Sequence, residues 1–316
     1  MVVAGIRHPV ATYLTTAPSV QAALAVLAAL ILFGASYVLM RPVLVRLLAR
    51  TGPDRIPWIE EDPPAHWGNL VRDLFPASRR LSSTEFDRLL RIVQIFLRDT
   101  RFEGAGGFVV TEPVRLSVAS QACYLVLGKE TNPFPSTRRI IVYPETFVPR
   151  RPASNLDFDL VDMDEGPTLG ESWDHGTVIL SWPSVTAGAK NPDDGWNVVF
   201  HEFAHQLDQG DGESGGMPAD VPVALRAEWQ ALVAERLEEL RADLDDGVEP
   251  YLDDYAATNE AEFFAVAVEA YFEVPTALAE VDPELFELFL AYFGWAPDGA
   301  GGTSRRELTR GPEGRA

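Results

Sequence analysis

The chain has 316 residues, enough for one sizeable domain or two small ones with a real core. A net charge of −21 argues against direct nucleic-acid binding, which needs a basic surface, and a single cysteine excludes an intramolecular disulfide. The charge is uneven: residues 1–53 hold four arginines and no acid, which leaves about −25 on the remainder.

Residues 1–19 read as an N-terminal tail. Residues 20–40, VQAALAVLAALILFGASYVLM, contain no charge and have about the length needed to cross a bilayer as a helix. This predicts a transmembrane helix and, through it, a membrane partner. A cleaved signal peptide fits less well, because its apolar core should be shorter and Phe33 is a poor residue before Gly34-Ala35-Ser36. Arg41, Arg46 and Arg50 follow the span while only Arg7 precedes it. That bias predicts a single-pass protein with its large C-terminal part in the cytoplasm. Residues 41–65 begin with a basic amphipathic stretch, RPVLVRLLAR, suited to an anionic lipid surface, and continue as a Pro- and acid-rich linker.

Residues 66–296 read as the main domain. A helix is expected from Thr84 to about Arg101, because Ser82 and Glu85 form a capping box and Phe86, Leu89, Leu90, Val93, Phe96 and Leu97 supply an apolar stripe. Short strand-like runs stand at 108–110 (FVV), 139–143 (RIIVY) and 177–182 (TVILSW), with a second helix over Pro113–Leu127. Cys123 sits in that apolar helix and reads as a buried structural thiol. From about 192 to 294 the pattern is mostly helical. The strand-like runs precede this block and do not alternate with it, so the fold class expected is α+β and not a doubly wound sheet. Residues 297–316, rich in Gly and Arg and without periodicity, are expected to be disordered.

Residues 198–208 read VVFHEFAHQLD. On a helix, His201 and His205 share one face about 6 Å apart along the axis, so two ring nitrogens can reach one zinc ion. Glu202 is turned by about 100° from His201 and flanks such an ion, where a base for activated water belongs. Asn191 is expected as the cap, with Pro192, Asp193 and Asp194 in the first turn and Gly210 as the stop. Trp196, Val199, Phe200, Phe203, Ala204 and Leu207 form the apolar face. His201, His205 and Asp208 lie opposite, toward a cleft or solvent.

A catalytic zinc needs a third protein ligand and an open position. The metzincin pattern fails, because Asp211 stands where it wants His and Asp208 where it wants Gly; Asp211 remains a minor candidate. The stronger candidate is Glu262, in YAATNEAEFFAVAVEAYFE at 255–273. Phe263, Phe264, Ala267, Val268 and Tyr271 form a core face there. Glu262 and Glu269 lie on one flank off it, seven residues apart. By spacing alone, a ligand and a solvated helix carboxylate are equal readings of Glu262.

HEFAHQLD, together with DYAATNEAEFFAVAVEAYF, RFEGAGGFVVT, ASQACYLVLG, IIVYPETF and GESWDHGTVILSW, resembles the Mlc titration factor A family of zinc peptidases over roughly residues 66–294. The zinc-site half also resembles the catalytic domain of anthrax lethal factor, a gluzincin protease. The resemblance implies a zincin-like metallopeptidase domain, mostly helical around its zinc site with a small sheet. It implies Glu262 as the third ligand and Tyr255 as a hydroxyl near the metal. The anchor, the basic stretch and the tail depart from the family, so its repressor partnership is not carried over.

These readings predict a zinc metallopeptidase acting on a peptide or protein substrate. His201, His205 and Glu262 hold Zn2+, Glu202 is the general base, Tyr255 donates to the oxyanion, and Asp208 orients a ligating imidazole. The alternative is a non-catalytic, membrane-tethered zinc module that binds a regulatory protein.

Overall fold

The computed structural model describes residues 62–129, 134–145, 176–209 and 215–297. The chain divides into two units, Met1–Pro53 and Asp54–Ala316; the first lies wholly outside the described residues. In the second, helices α1 (Trp67–Leu74), α2 (Ser83–Asp99) and α3 (Glu112–Leu125) surround strand β1 (Arg101–Gly104) in sequence. Strands β2 (Arg139–Tyr143) and β3 (Thr177–Ser181) follow, and β3 leads directly into α4 (Trp182–Lys190). The rest is helical: α5 (Val198–Asp208), α6 (Val223–Asp245), α7 (Glu260–Glu273), α8 (Pro275–Val281) and α9 (Pro283–Phe293).

The domain is mostly helical with a small parallel sheet, ordered β1-β2-β3. The expectation of a preceding transmembrane helix is corrected. Among the described residues no helix is long and apolar enough to cross a membrane, and the segment 20–40 lies outside them. The membrane partner and the single-pass location fall with that helix. The stretch 41–61 and the tail from 298 onward are likewise outside the described residues.

The capping box forms as the sequence requires. Ser82 Oγ accepts from Glu85 N at 3.3 Å, and the Glu85 carboxylate accepts from Ser82 N at 3.0 Å. The helix ends at Asp99, two residues earlier than its pattern promised, because Arg101–Gly104 pairs in parallel with Arg139–Val142. That partner is remote in sequence, so local pattern gives no hint of β1. The expected strand at 108–110 does not form. Gly106 and Gly107 (φ +57° and +76°) turn the chain after β1, and Val109 is exposed. β2 matches its expected span, and β3 ends one residue early, where Trp182 starts α4. Helix α3 lies in sequence between the parallel neighbours β1 and β2, and all three strands precede the helices α4 to α9, as the order of the runs led us to expect.

The core is aromatic. Phe203 meets Phe96 and Phe134 edge-on at 5.7 and 4.9 Å, and Tyr124 stacks on Phe200 at 6.1 Å and meets Trp295 edge-on at 4.7 Å. Tyr271 and Phe289 join the second half, with Trp229 from α6. These rings bury one face of α5 and nearly all of α7, and they press the two helices together. Cys123 is buried and its thiol is pushed far up by desolvation, as an inert core residue should be.

Candidate metal centre

The metal-site helix starts later than expected. Asn191–Trp196 form a turn through Gly195 (φ +80°), and the cap is Asn197, whose Oδ1 accepts from Val199 N and Phe200 N at 3.0 and 3.2 Å. Asn197 is the better cap because its side chain is itself buried and held from behind, by Gln121 and Glu273. Trp196 consequently falls off the helix and is 52% exposed. Val199, Phe200, Phe203, Ala204 and Leu207 are buried, as the periodicity demands. The helix closes at Asp208 with Gln209 as C-cap; Gly210 and Asp211 lie outside the described residues.

With that face buried, His201, Glu202 and His205 turn to the half-buried side, where α7 crosses. Asn259 caps α7 by accepting from Glu262 N at 3.0 Å, which fixes the first turn and the backbone from which the Glu262 side chain leaves. His201 Nε2 stands 3.1 Å and His205 Nε2 3.4 Å from Glu262 Oε2. One ligand atom from each of the three lies within 4.8 Å of the others. A tetrahedral zinc site with metal–ligand bonds of about 2.0–2.1 Å has ligand–ligand edges of about 3.3–3.5 Å. The His205–Glu262 separation of 3.4 Å falls on such an edge and the His201–Glu262 separation of 3.1 Å just short of one, and two imidazoles with a carboxylate are a donor set that zinc favours. His201, His205 and Glu262 could therefore hold a metal ion. Of the other histidines, His66 is paired with Glu112 at 2.9 Å, and His8 and His175 lie outside the described residues.

The charges around the site are strongly coupled. Burial lowers the His201 pKa, but hydrogen bonds to Glu262 and Glu269 outweigh it and carry it up to about 10. Burial would raise Glu262, yet the two histidines hold it down at about 2. Glu202 is raised, chiefly by desolvation, despite the pull of both histidines. The Tyr255 hydroxyl is raised by burial and then by the charges of Glu262 and Glu202, so it stays a proton donor. Its ring lies 6.0 Å from that of His201, centre to centre, on the short 3-10 turn Asp254–Ala257 before α7.

Asp208 stands at the end of α5, where the charge of His205 acts on it. It is buried, and its carboxylate accepts from the backbone N–H groups of Gly215, Gly216 and Met217 at 3.3, 3.1 and 2.9 Å. It ties the chain beyond the metal helix to that helix's end. The carboxylate that does meet a candidate ligand from behind is Glu269, whose Oε1 lies 2.8 Å from His201 Nδ1. Sequence spacing had placed Glu269 on the flank of Glu262 without a role; two helical turns on one face was the only signal available.

Residues 54–294 match the family described as glucose-regulated metallo-peptidase M90. The chain is 37% identical over 235 residues to an uncharacterized protein of Synechocystis sp., covering 74% of this chain and 85% of that one. It is 27% identical over 248 residues to Mlc titration factor A of Escherichia fergusonii, covering 76% and 91%. To Mlc titration factor A of Yersinia pestis it is 28% identical over 238 residues, covering 74% and 85%.

Proposed function

This chain belongs to the glucose-regulated metallo-peptidase M90 family, and from that premise we propose that it is a zinc module that hydrolyses peptide bonds. The observation that carries the reading is Glu202 flanking His201 and His205 on the same helix, under the charge of both, beside a His201, His205 and Glu262 cluster whose ligand atoms lie within 4.8 Å of one another. When bound there, zinc supplies Lewis acidity and makes water acidic enough to lose a proton near neutral pH. Glu202 takes that proton on its carboxylate as the peptide carbonyl is attacked, and its raised pKa suits it to pass the proton on to the leaving amine. Tyr255 keeps its hydroxyl proton and donates it as a hydrogen bond to the developing oxyanion. Strand β3 is an edge of the sheet among the described residues, and such an edge can pair with an extended peptide.

A second reading is favoured more directly by the relatives' names, two of which speak of titrating Mlc. In it the domain keeps zinc without catalysis and binds a regulatory protein. Glu202→Ala separates the two. Under the first reading, zinc content persists while cleavage in a peptide-library digest drops by about 100-fold or more. Equal cleavage by variant and parent refutes the mechanism. No cleavage by either, with retained binding of a protein partner, establishes the second reading.

A further inference from the structure

We propose that Glu269 is a positioning residue that fixes the His201 ring so that Nε2 faces the metal site, and that Asn197 locks Glu269 in that pose. The proposal rests on the reading of His201, His205 and Glu262 as a metal site. Its starting point is a carboxylate where none should be cheap. Glu269 is 5% exposed, and a buried carboxylate costs several kcal/mol unless its oxygens are satisfied. Both are. Oε1 meets His201 Nδ1 at 2.8 Å, and Oε2 accepts from Asn197 N at 2.5 Å.

Asn197 has no polar atom to spare. Its side-chain oxygen caps α5, its Nδ2 donates to Gln121 Oε1 and Glu273 Oε1 at 3.1 Å each, and its carbonyl accepts from His201 N at 2.9 Å. The same residue therefore holds His201 by its backbone and, through Glu269, by its ring. The neighbouring Glu273 is also buried and takes Trp196 N at 3.0 Å, which closes the network behind the metal helix. Helix α7 supplies both sides of the imidazole. Glu262 meets Nε2, and Glu269, seven residues and roughly 10 Å further along the axis, meets Nδ1. With Nδ1 committed as a donor, only Nε2 remains for a metal, and the ring cannot flip without stranding a buried carboxylate.

The test uses the full chain and the variants Glu269→Ala and Glu269→Gln. Zinc affinity is read by competition with a chromophoric chelator. The ring nitrogens of His201 are read by nitrogen-15 NMR in the metal-free protein. Glu269→Ala is expected to weaken zinc binding 10- to 100-fold and to abolish the hydrogen-bonded Nδ1 proton. Glu269→Gln, nearly the same shape, keeps one acceptor oxygen and should fall between the two. The proposal is overturned if zinc affinity stays within about twofold of the parent in both variants, or if the parent lacks a hydrogen-bonded Nδ1 proton on His201. The second readout needs no variant to fold. A parent that binds no zinc refutes the metal reading itself, a failure distinct from a parent that binds zinc with or without Glu269.

Discussion

Gly216→Ala should weaken the metal site without touching a ligand. Gly216 has φ +71°, in the left-handed region, and a Cβ there would stand 2.3 Å from the backbone oxygen of Glu260 and 2.6 Å from its carbon. Glu260 opens α7 two residues before Glu262. The Gly216 amide donates to Asp208 at the end of α5, and its carbonyl accepts from Trp229 Nε1 of α6 at 2.8 Å. This one residue therefore joins both ligand-bearing helices. The left-handed conformation costs alanine about 1–2 kcal/mol, and pushing aside a backbone oxygen costs on the order of 1–3 kcal/mol more. Gly247→Ala is the control. Its φ is +72°, but an added Cβ meets nothing within 4 Å, so it pays only the conformational part. Urea unfolding in chelator should show Gly216→Ala destabilised by roughly 2–5 kcal/mol and Gly247→Ala by about 1–2 kcal/mol. Chelator competition should show weaker zinc binding in the first only, since only there must the first turn of α7 move. Equal losses in the two variants, or unchanged zinc affinity in Gly216→Ala, would refute the reasoning.

Two further outcomes follow from the same structure. In the metal-free protein the His201 pKa is raised from 6.5 to about 10 by its carboxylate partners. The stability from those pairs is thus complete below pH 6.5 and lost as pH rises through about 10. Unfolding in chelator should show this decline, His201→Gln should flatten it, and zinc should bind more tightly across the same window as the competing proton leaves; a metal-free protein that gains stability from pH 7 to 9 counts against the pairing. Phe203→Ala should cost about 3–5 kcal/mol, because Phe203 is fully buried between Phe96 and Phe134 beneath the metal helix; a loss under about 1 kcal/mol in urea unfolding would show that the ring cluster does not support that helix.

The sequence by itself settled what local periodicity can settle. His201, Glu202 and His205 lie within two turns of one helix, and Val199, Phe200, Phe203, Ala204 and Leu207 alone decide which way that helix faces. The capping box at Ser82 and Glu85 was likewise legible, because all its partners are three residues apart. Glu262 was visible as a flank residue, but only the crossing of α5 and α7 brings it to the histidines. Tertiary structure decided everything whose partner is remote: strand β1, which exists because β2 lies beside it; the cap at Asn197 in place of Asn191, chosen by a buried network from α3 and α7; and the partners that Asp208 and Glu269 meet. Both carboxylates sit on helix flanks with nothing in their spacing to tell them apart. Asp208 takes three amides of the returning chain, while Glu269 lies 68 residues from the ring it meets. Side-chain period fixes the direction in which a residue points along its own element, and only the packing of one element on another determines what it finds there.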